Sequence, residues 1–197
     1  MKVSREQVAL NRERIVETAA RLFRQNGYDG IGVADLMKGA GLTHGGFYGH
    51  FASKEDLLAE ATAHALQRSV QRWQEQTASD PVAGLSELAS GYLSTRHRDH
   101  PENGCAIAAL GPDVARLGPA VRSAMTAGVA GQVAVVEQCL ARDGGDAADI
   151  ATARKEALAT YAAMVGAMVL ARAVDDDALS QEILAAVREQ IPRSDAS

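Results

Sequence analysis

Aromatic side chains are scarce. Phenylalanine, tyrosine and tryptophan make up 4% of the 197 residues, with a single tryptophan. Alternating β-branched and aromatic runs, the mark of half-buried strands, are missing, while alanine is abundant. That excludes a β-sandwich or barrel and leaves an all-α chain whose helices approach closely through small side chains. Hydrophobic residues still reach 47%, so a core can be buried. Cysteine is nearly absent too. Cys105 and Cys139 lie far apart, which excludes a disulfide framework and a metal-type spacing and fits reduced thiols in a cytoplasmic protein. No apolar leader opens the chain, because Arg5, Glu6, Arg12, Glu13 and Arg14 interrupt it. The apolar run 157–171 is fifteen residues, short of the roughly 20 that span a bilayer. It reads as a buried helix, and no membrane association is expected. A Gly-rich phosphate loop, a Gly-x-Ser-x-Gly elbow and a His-Glu-x-x-His helix are also missing. Neither an enzyme nor a cofactor is therefore expected.

Net charge is -5, and its distribution is uneven. Residues 1–56 hold eight Lys/Arg and seven Asp/Glu, a balance of +1, and the remainder hold twelve and eighteen, a balance of -6. Early bases crowd at Lys2, Arg5, Arg12, Arg14, Arg21 and Arg24. A near-neutral head on an acidic body is a weak electrostatic signal for nucleic acid.

What the chain does carry lies at 32–58, GVADLMKGAGLTHGGFYGHFASKEDLL. Val33, Leu36, Met37 and Ala40 share one face of a short helix. Gly41 permits a tight turn, and Thr43 is placed to cap a second short helix. Phe47 and Phe51, four apart, face one core, which turns His44, Tyr48 and the glycines outward. Two short helices with a small, polar outer surface describe a DNA-reading helix-turn-helix. Before them, helix one spans about 5–26, ends at Gly27, and carries Ile15, Ala19, Leu22 and Phe23 on its apolar face. Helix two is expected at about 33–39 and helix three at 44–50. After them, Ser53 and Asp56 resemble a capping box opening a long fourth helix to about residue 77. Further helices are expected at about 82–98, 105–117 (bent or broken at Gly111-Pro112), 119–142, 146–173 and 178–190. Gly118-Pro119, Gly144-Gly145 and Asp175-Asp176-Asp177 punctuate them, and the tail from Arg193 is expected to be disordered. The total is about nine helices. The division expected is 1–53 as a DNA-binding domain and 54–197 as a larger helical domain.

The ordered set Ile15…Ala19…Leu22-Phe23…Gly27-Tyr28, Val33-Ala34-Asp35-Leu36…Ala40-Gly41-Leu42-Thr43, Phe47-Tyr48…His50-Phe51…Ser53-Lys54-Glu55-Asp56-Leu57 resembles the tetracycline-repressor (TetR) family of bacterial transcription regulators over about residues 8–60. The resemblance implies a homodimer on double-stranded operator DNA, with the larger domain dimerising and holding a small-molecule inducer. It implies a repressor as the default. Thr43, Tyr48 and Lys54 match phosphate-holding positions, and His44 matches one that meets phosphate or a base edge. Gly32 replaces a usual Ser or Thr cap. Gly45, Gly46 and Gly49 each cost up to about 1 kcal/mol in a helix and leave few side chains for base reading. Readout then leans on His44, Lys38 and close backbone approach. The DNA-facing set is Gly32, Lys38, Thr43, His44, Gly45, Gly46, Tyr48, His50 and Lys54.

Pocket candidates are Trp73, Tyr92, Cys105, Met125, Tyr161, Met164 and Met168, since Met adapts its shape and Trp and Tyr pair flat surface with a polar tip. Small residues at 162, 163, 166 and 167 suit a close helix approach in a dimer bundle. His97 to Cys105 reads as a solvated loop rather than a metal site, because Pro101 interrupts the ligand geometry. Cys105, after Gly104 at a helix start, supports an alternative reading as a redox or electrophile sensor. A helical adaptor protein is a remoter alternative.

Overall fold

Ser4 begins the first helix by accepting a hydrogen bond from the Gln7 N–H at 3.1 Å. The computed structural model describes residues 4–141 and 147–191, so the expected Gly144-Gly145 turn, Lys2 and the tail from Arg193 lie outside the described residues. Nine α-helices and two short 3-10 segments, with no strand, occur among them: α1 Arg5–Asn26, α2 Val33–Gly39, a 3-10 segment His44–Gly49, α3 Lys54–Thr77, α4 Pro81–Tyr92, α5 Thr95–Asp99, a 3-10 turn Pro101–Asn103, α6 Ala106–Val114, α7 Pro119–Leu140, α8 Ala147–Ala173 and α9 Asp177–Gln190.

The chain divides into two compact units. The first takes Met1–Leu66 together with Pro101–Ala127, and the second takes Gln67–His100 with Gly128–Ser197. This grouping by packing is not the division at residue 53, which is one of role. Helix α3 contributes to both units, and 101–127 joins the first.

In the first unit α1 buries Ile15, Val16, Ala19, Ala20 and Phe23. Gly27 ends it at φ +74°, a conformation only glycine adopts cheaply, and returns its N–H to the Phe23 carbonyl at 2.8 Å. Helix α2 buries Leu36 and Met37. It lies so close to α1 that a Cβ on Gly39 would come within 2.9 Å of Leu22. The Ser53 hydroxyl accepts the Asp56 N–H at 3.0 Å and opens α3, whose Leu57, Leu58, Ala61 and Leu66 are buried.

The second unit is built on α8, where Ala153, Ala157, Tyr161, Met164, Ala167, Met168 and Ala171 form one buried row. The uncharged run expected at 157–171 is only part of it. The helix continues N-terminally through Arg154, Lys155 and Glu156 to 27 residues. By length and composition Ala148–Ala173 is long and apolar enough to cross a membrane, and a third of its most apolar window is buried inside the protein.

Three expectations change. The helix expected at 82–98 is two, because the Ser94 hydroxyl accepts the His97 N–H and donates to the Gly91 carbonyl, competing with the helical ladder. The helix expected at 105–117, bent or broken at Gly111-Pro112, is not broken there but runs through Pro112 and ends at Val114. So near the end, the missing N–H costs little of the ladder. The segment expected as helix three is a 3-10 turn, with the Gly46 N–H on the Thr43 carbonyl at 3.0 Å and the His50 N–H on the Phe47 carbonyl at 2.9 Å. Three glycines in six residues weaken α-helix propensity there.

Candidate nucleic-acid interface

The α2 to α3 region separates into a buried base and a bare outer surface. Gly41, at φ +71°, turns the chain after α2 and donates to the Lys38 carbonyl at 3.0 Å. Phe47 and Phe51 are buried with ring centroids 5.8 Å apart. Anchored this way, the 3-10 segment presents Thr43, His44, Gly45, Gly46, Tyr48 and Gly49 to solvent, and Tyr48 is 70% exposed. Its ring meets Phe47 edge-on at 5.2 Å, which fixes the phenol without hiding it. Gly32 and Lys38 are also exposed. Gly32 occupies the α2 cap position with no side-chain bond, and the Thr43 side chain makes no cap bond either. His50 differs from the others. It is half-buried against Phe51, and its Nδ1 is buried with no hydrogen-bond partner.

The three glycines are not demanded by packing or backbone. None has positive φ, a Cβ at Gly45 or Gly49 would meet nothing within 4 Å, and one at Gly46 would touch Met37 at an ordinary 3.6 Å.

Lys54 is tied to the α1–α2 loop. Its Nζ sits 4.2 Å from the centroid of Tyr28, a cation–π arrangement. Tyr28 stacks on Phe23 at 6.2 Å, and its N–H donates to Asp113 Oδ2 at 2.9 Å. Burial, then the nearby Glu55 and Asp29 carboxylates, push the Tyr28 phenol above its ordinary pKa. Glu55 accepts the Gly118 N–H at 2.9 Å, and a Cβ on Gly118 would lie 2.5 Å from that carboxylate. Arg24 donates from Nε and Nη2 to the Glu102 carbonyl. These ties between 101–118 and the head were missed in the sequence. Gly118-Pro119 was legible as a turn but not as a contact.

Two of the early bases are committed to the fold. Arg12 pairs with Glu60, lies 4.7 Å over the Phe51 ring, and has its pKa raised first by the Glu60 hydrogen bond. Arg24 is the other. Arg5, Arg14 and Arg21 remain exposed.

The pocket candidates are divided between the two units. Trp73 meets both Tyr92 and Tyr161 edge-on at 6.0 Å in the second unit. The Tyr161 hydroxyl donates to buried Gln132, whose amide donates to Ser69 at 2.8 Å. Met164 and Met168 are fully buried in the same unit. Cys105 and Met125, also buried, belong to the first unit. Of the stretch read as a solvated loop, His97 to Asp99 lies in α5 and Cys105 is buried; His97 Nδ1 meets the Tyr92 carbonyl, and no cluster of three potential ligands occurs among the described residues.

A paired-helix unit with a buried aromatic base and a bare, polar outer turn defines a helix-turn-helix DNA-binding head. Residues 15–61 match the family model described as bacterial regulatory proteins, tetR family. The HTH-type transcriptional repressor NemR of Escherichia coli K12 is 30% identical over 132 residues, covering 66% of this chain and 66% of that repressor, just short of two thirds of its length. The crystal structure of E. coli NemR in its reduced form superposes with a TM-score of 0.76 at 25% identity over 95% of this chain and 99% of that one. A TetR-family regulator from Agrobacterium tumefaciens shares the fold at a TM-score of 0.75, with 24% identity over 94% and 99% of the two chains. The chain belongs to the TetR family of DNA-binding transcriptional regulators.

Proposed function

We propose that the chain is a repressor that binds its operator as a homodimer and releases it when a small-molecule inducer occupies the larger domain. DNA binding is carried by one observation: an exposed turn of Thr43, His44, Tyr48 and three glycines on a buried Phe47–Phe51 base. Small residues on that turn permit close backbone approach to a major groove, and hydroxyl and ammonium groups beside it suit phosphate. Gly32, Lys38, Thr43, His44, Gly45, Gly46, Tyr48 and Lys54 form the contact set. Half-buried His50 contributes through its position beside Phe51. The repressor name of the NemR relative supports repression.

Dimerisation is supported by α8 and α9. They leave Leu158, Leu170 and Leu179 exposed, with Ala159, Ala162 and Ala163 exposed on the same helix as the first two. A Cβ on Gly166 would meet nothing within 4 Å. Paired with a second copy, these two helices form a four-helix bundle of the isologous kind. Roles then divide as 1–53 for DNA and 54–197 for inducer and dimer, in the cytoplasm. The inducer region centres on Trp73, Tyr92, Tyr161, Met164 and Met168. An inducer acts by preferring the state in which the two heads no longer match successive grooves.

Selection of duplexes from a random-sequence pool by the purified protein tests the DNA reading. Enrichment of a two-fold-related sequence is expected. Failure to enrich any duplex overturns it.

A further inference from the structure

We propose that Asp113 is a positioning residue for the DNA interface, holding the Tyr28 main chain so that the Tyr28 ring carries the Lys54 ammonium toward phosphate. The inference rests on Lys54 being a phosphate group in the reading above and deepens it. Tyr28 directly follows Gly27, whose left-handed backbone turns the Tyr28 N–H out of the α1 ladder. Such a donor needs an acceptor, and Asp113 Oδ2 supplies it at 2.9 Å. The fit is close: a Cβ on Gly27 would stand 3.2 Å from that same oxygen. The other carboxylate oxygen takes Arg116 Nη2 at 3.1 Å, which orients the group. With its main chain held, the ring lies between Phe23 and Lys54. A long, flexible ammonium stem is thereby given a preferred place. Glu55, the next residue along α3, binds the Gly118 N–H, so α3 and 113–118 are fastened at a second point.

Simple electrostatics and positioning predict opposite signs. Asp113→Ala and Asp113→Asn both remove a negative charge from a DNA-binding head, so charge alone makes both bind DNA more tightly. Asparagine keeps an oxygen that accepts the Tyr28 N–H, and alanine does not. Positioning therefore makes the alanine variant weaker by roughly tenfold, the scale of one charge-assisted hydrogen bond, with the asparagine variant at or above wild-type affinity.

The probe is a duplex selected by the wild-type protein from a random pool. Affinity is measured for wild type, both Asp113 variants, Tyr28→Leu, Lys54→Ala, and Asp113→Ala combined with Lys54→Ala. Tyr28→Leu keeps the main-chain bond and removes the platform, so it matches Asp113→Ala even where that variant is hard to fold. In the Lys54→Ala background, Asp113→Ala is expected to cost little more. Tighter binding by both Asp113 variants, or losses that add in the double variant, overturns the inference. A wild-type protein that selects no duplex overturns the DNA reading itself, a separate signature.

Discussion

His97 Nδ1 lies 2.7 Å from the Tyr92 carbonyl oxygen, and the His97 ring meets the Tyr92 ring edge-on at 4.5 Å. A carbonyl only accepts, so Nδ1 carries the proton. Burial lowers the imidazole pKa below its ordinary 6.5, the Arg172 charge acts in the same direction, and the Tyr92 carbonyl opposes them. Below about pH 6.5 the unfolded chain takes up a proton that the folded chain refuses. The stability contribution is therefore full above that value and is lost as pH falls toward the native pKa. Thermal midpoints should decline from about pH 7 to 5, and His97→Asn, which keeps a donor for Tyr92, should flatten the decline. An equally steep acid limb in the variant would assign the effect to other groups.

Gly45 and Gly49 have open space where a Cβ would stand and no positive φ. Gly45→Ala and Gly49→Ala should each stabilise the free protein by up to about 1 kcal/mol. They should weaken operator binding where the backbone approaches the groove. Amide exchange over 43–50 should be fast in the free protein and slow on DNA. Calorimetry beside a gel-shift titration checks the first pair of effects. Alanine variants that bind as tightly as wild type would remove close approach from the explanation.

Lys54→Ala should lower the log–log salt slope of operator binding by about 0.9 per subunit, one phosphate contact, while leaving the preferred sequence unchanged. Its Tyr28 contact holds the ammonium without neutralising it. An unchanged slope would place Lys54 outside the phosphate set.

Helices α1, α2 and α3 were legible to the residue because each boundary carries local chemistry: Ser4 and Gly27, Gly32 and the Gly41 turn, Ser53 with Asp56. The 3-10 character of 44–49 was legible only as glycine cost, since a helical period cannot distinguish a weak α-helix from a tighter turn. The grouping of 101–127 with the head was not legible at all. Arg24 on Glu102, Asp113 on Tyr28 and Glu55 on Gly118 tie it there, through side-chain-to-main-chain bonds that leave no periodic trace. For the candidate pocket, residue type suggested seven members, and the edge-on contacts of Trp73 with Tyr92 and Tyr161 within the second unit likewise leave no periodic trace.

Gly166 has open space beside it and Ala163 is exposed on α8, in line with Ala159 and Leu170. Gly166→Glu or Ala163→Glu would bury an unpaired charge in the proposed dimer while disturbing nothing within one chain. Sedimentation equilibrium should show a dimer for the wild type and a shift toward monomer for either variant. A wild-type protein that stays monomeric at micromolar concentration would refute the interface.

Cys105 decides between inducer binding and a thiol switch. It caps α6 by position but is 7% exposed, and Cys139 is 5% exposed. Burial raises the Cys139 thiol pKa, opposed by a Thr77 hydrogen bond. Reactive thiols need access as well as a favoured thiolate. A thiol-reactive compound such as N-ethylmaleimide should therefore label both cysteines far more slowly in the folded protein than in urea. It should also leave operator complexes of the wild type and of Cys105→Ser equally intact over that time. Serine preserves the size of the side chain but forms no adduct, so any difference between the two proteins reports the Cys105 sulfur. Release of DNA by the wild type alone would make Cys105 the sensor and replace non-covalent induction with a redox or electrophile response.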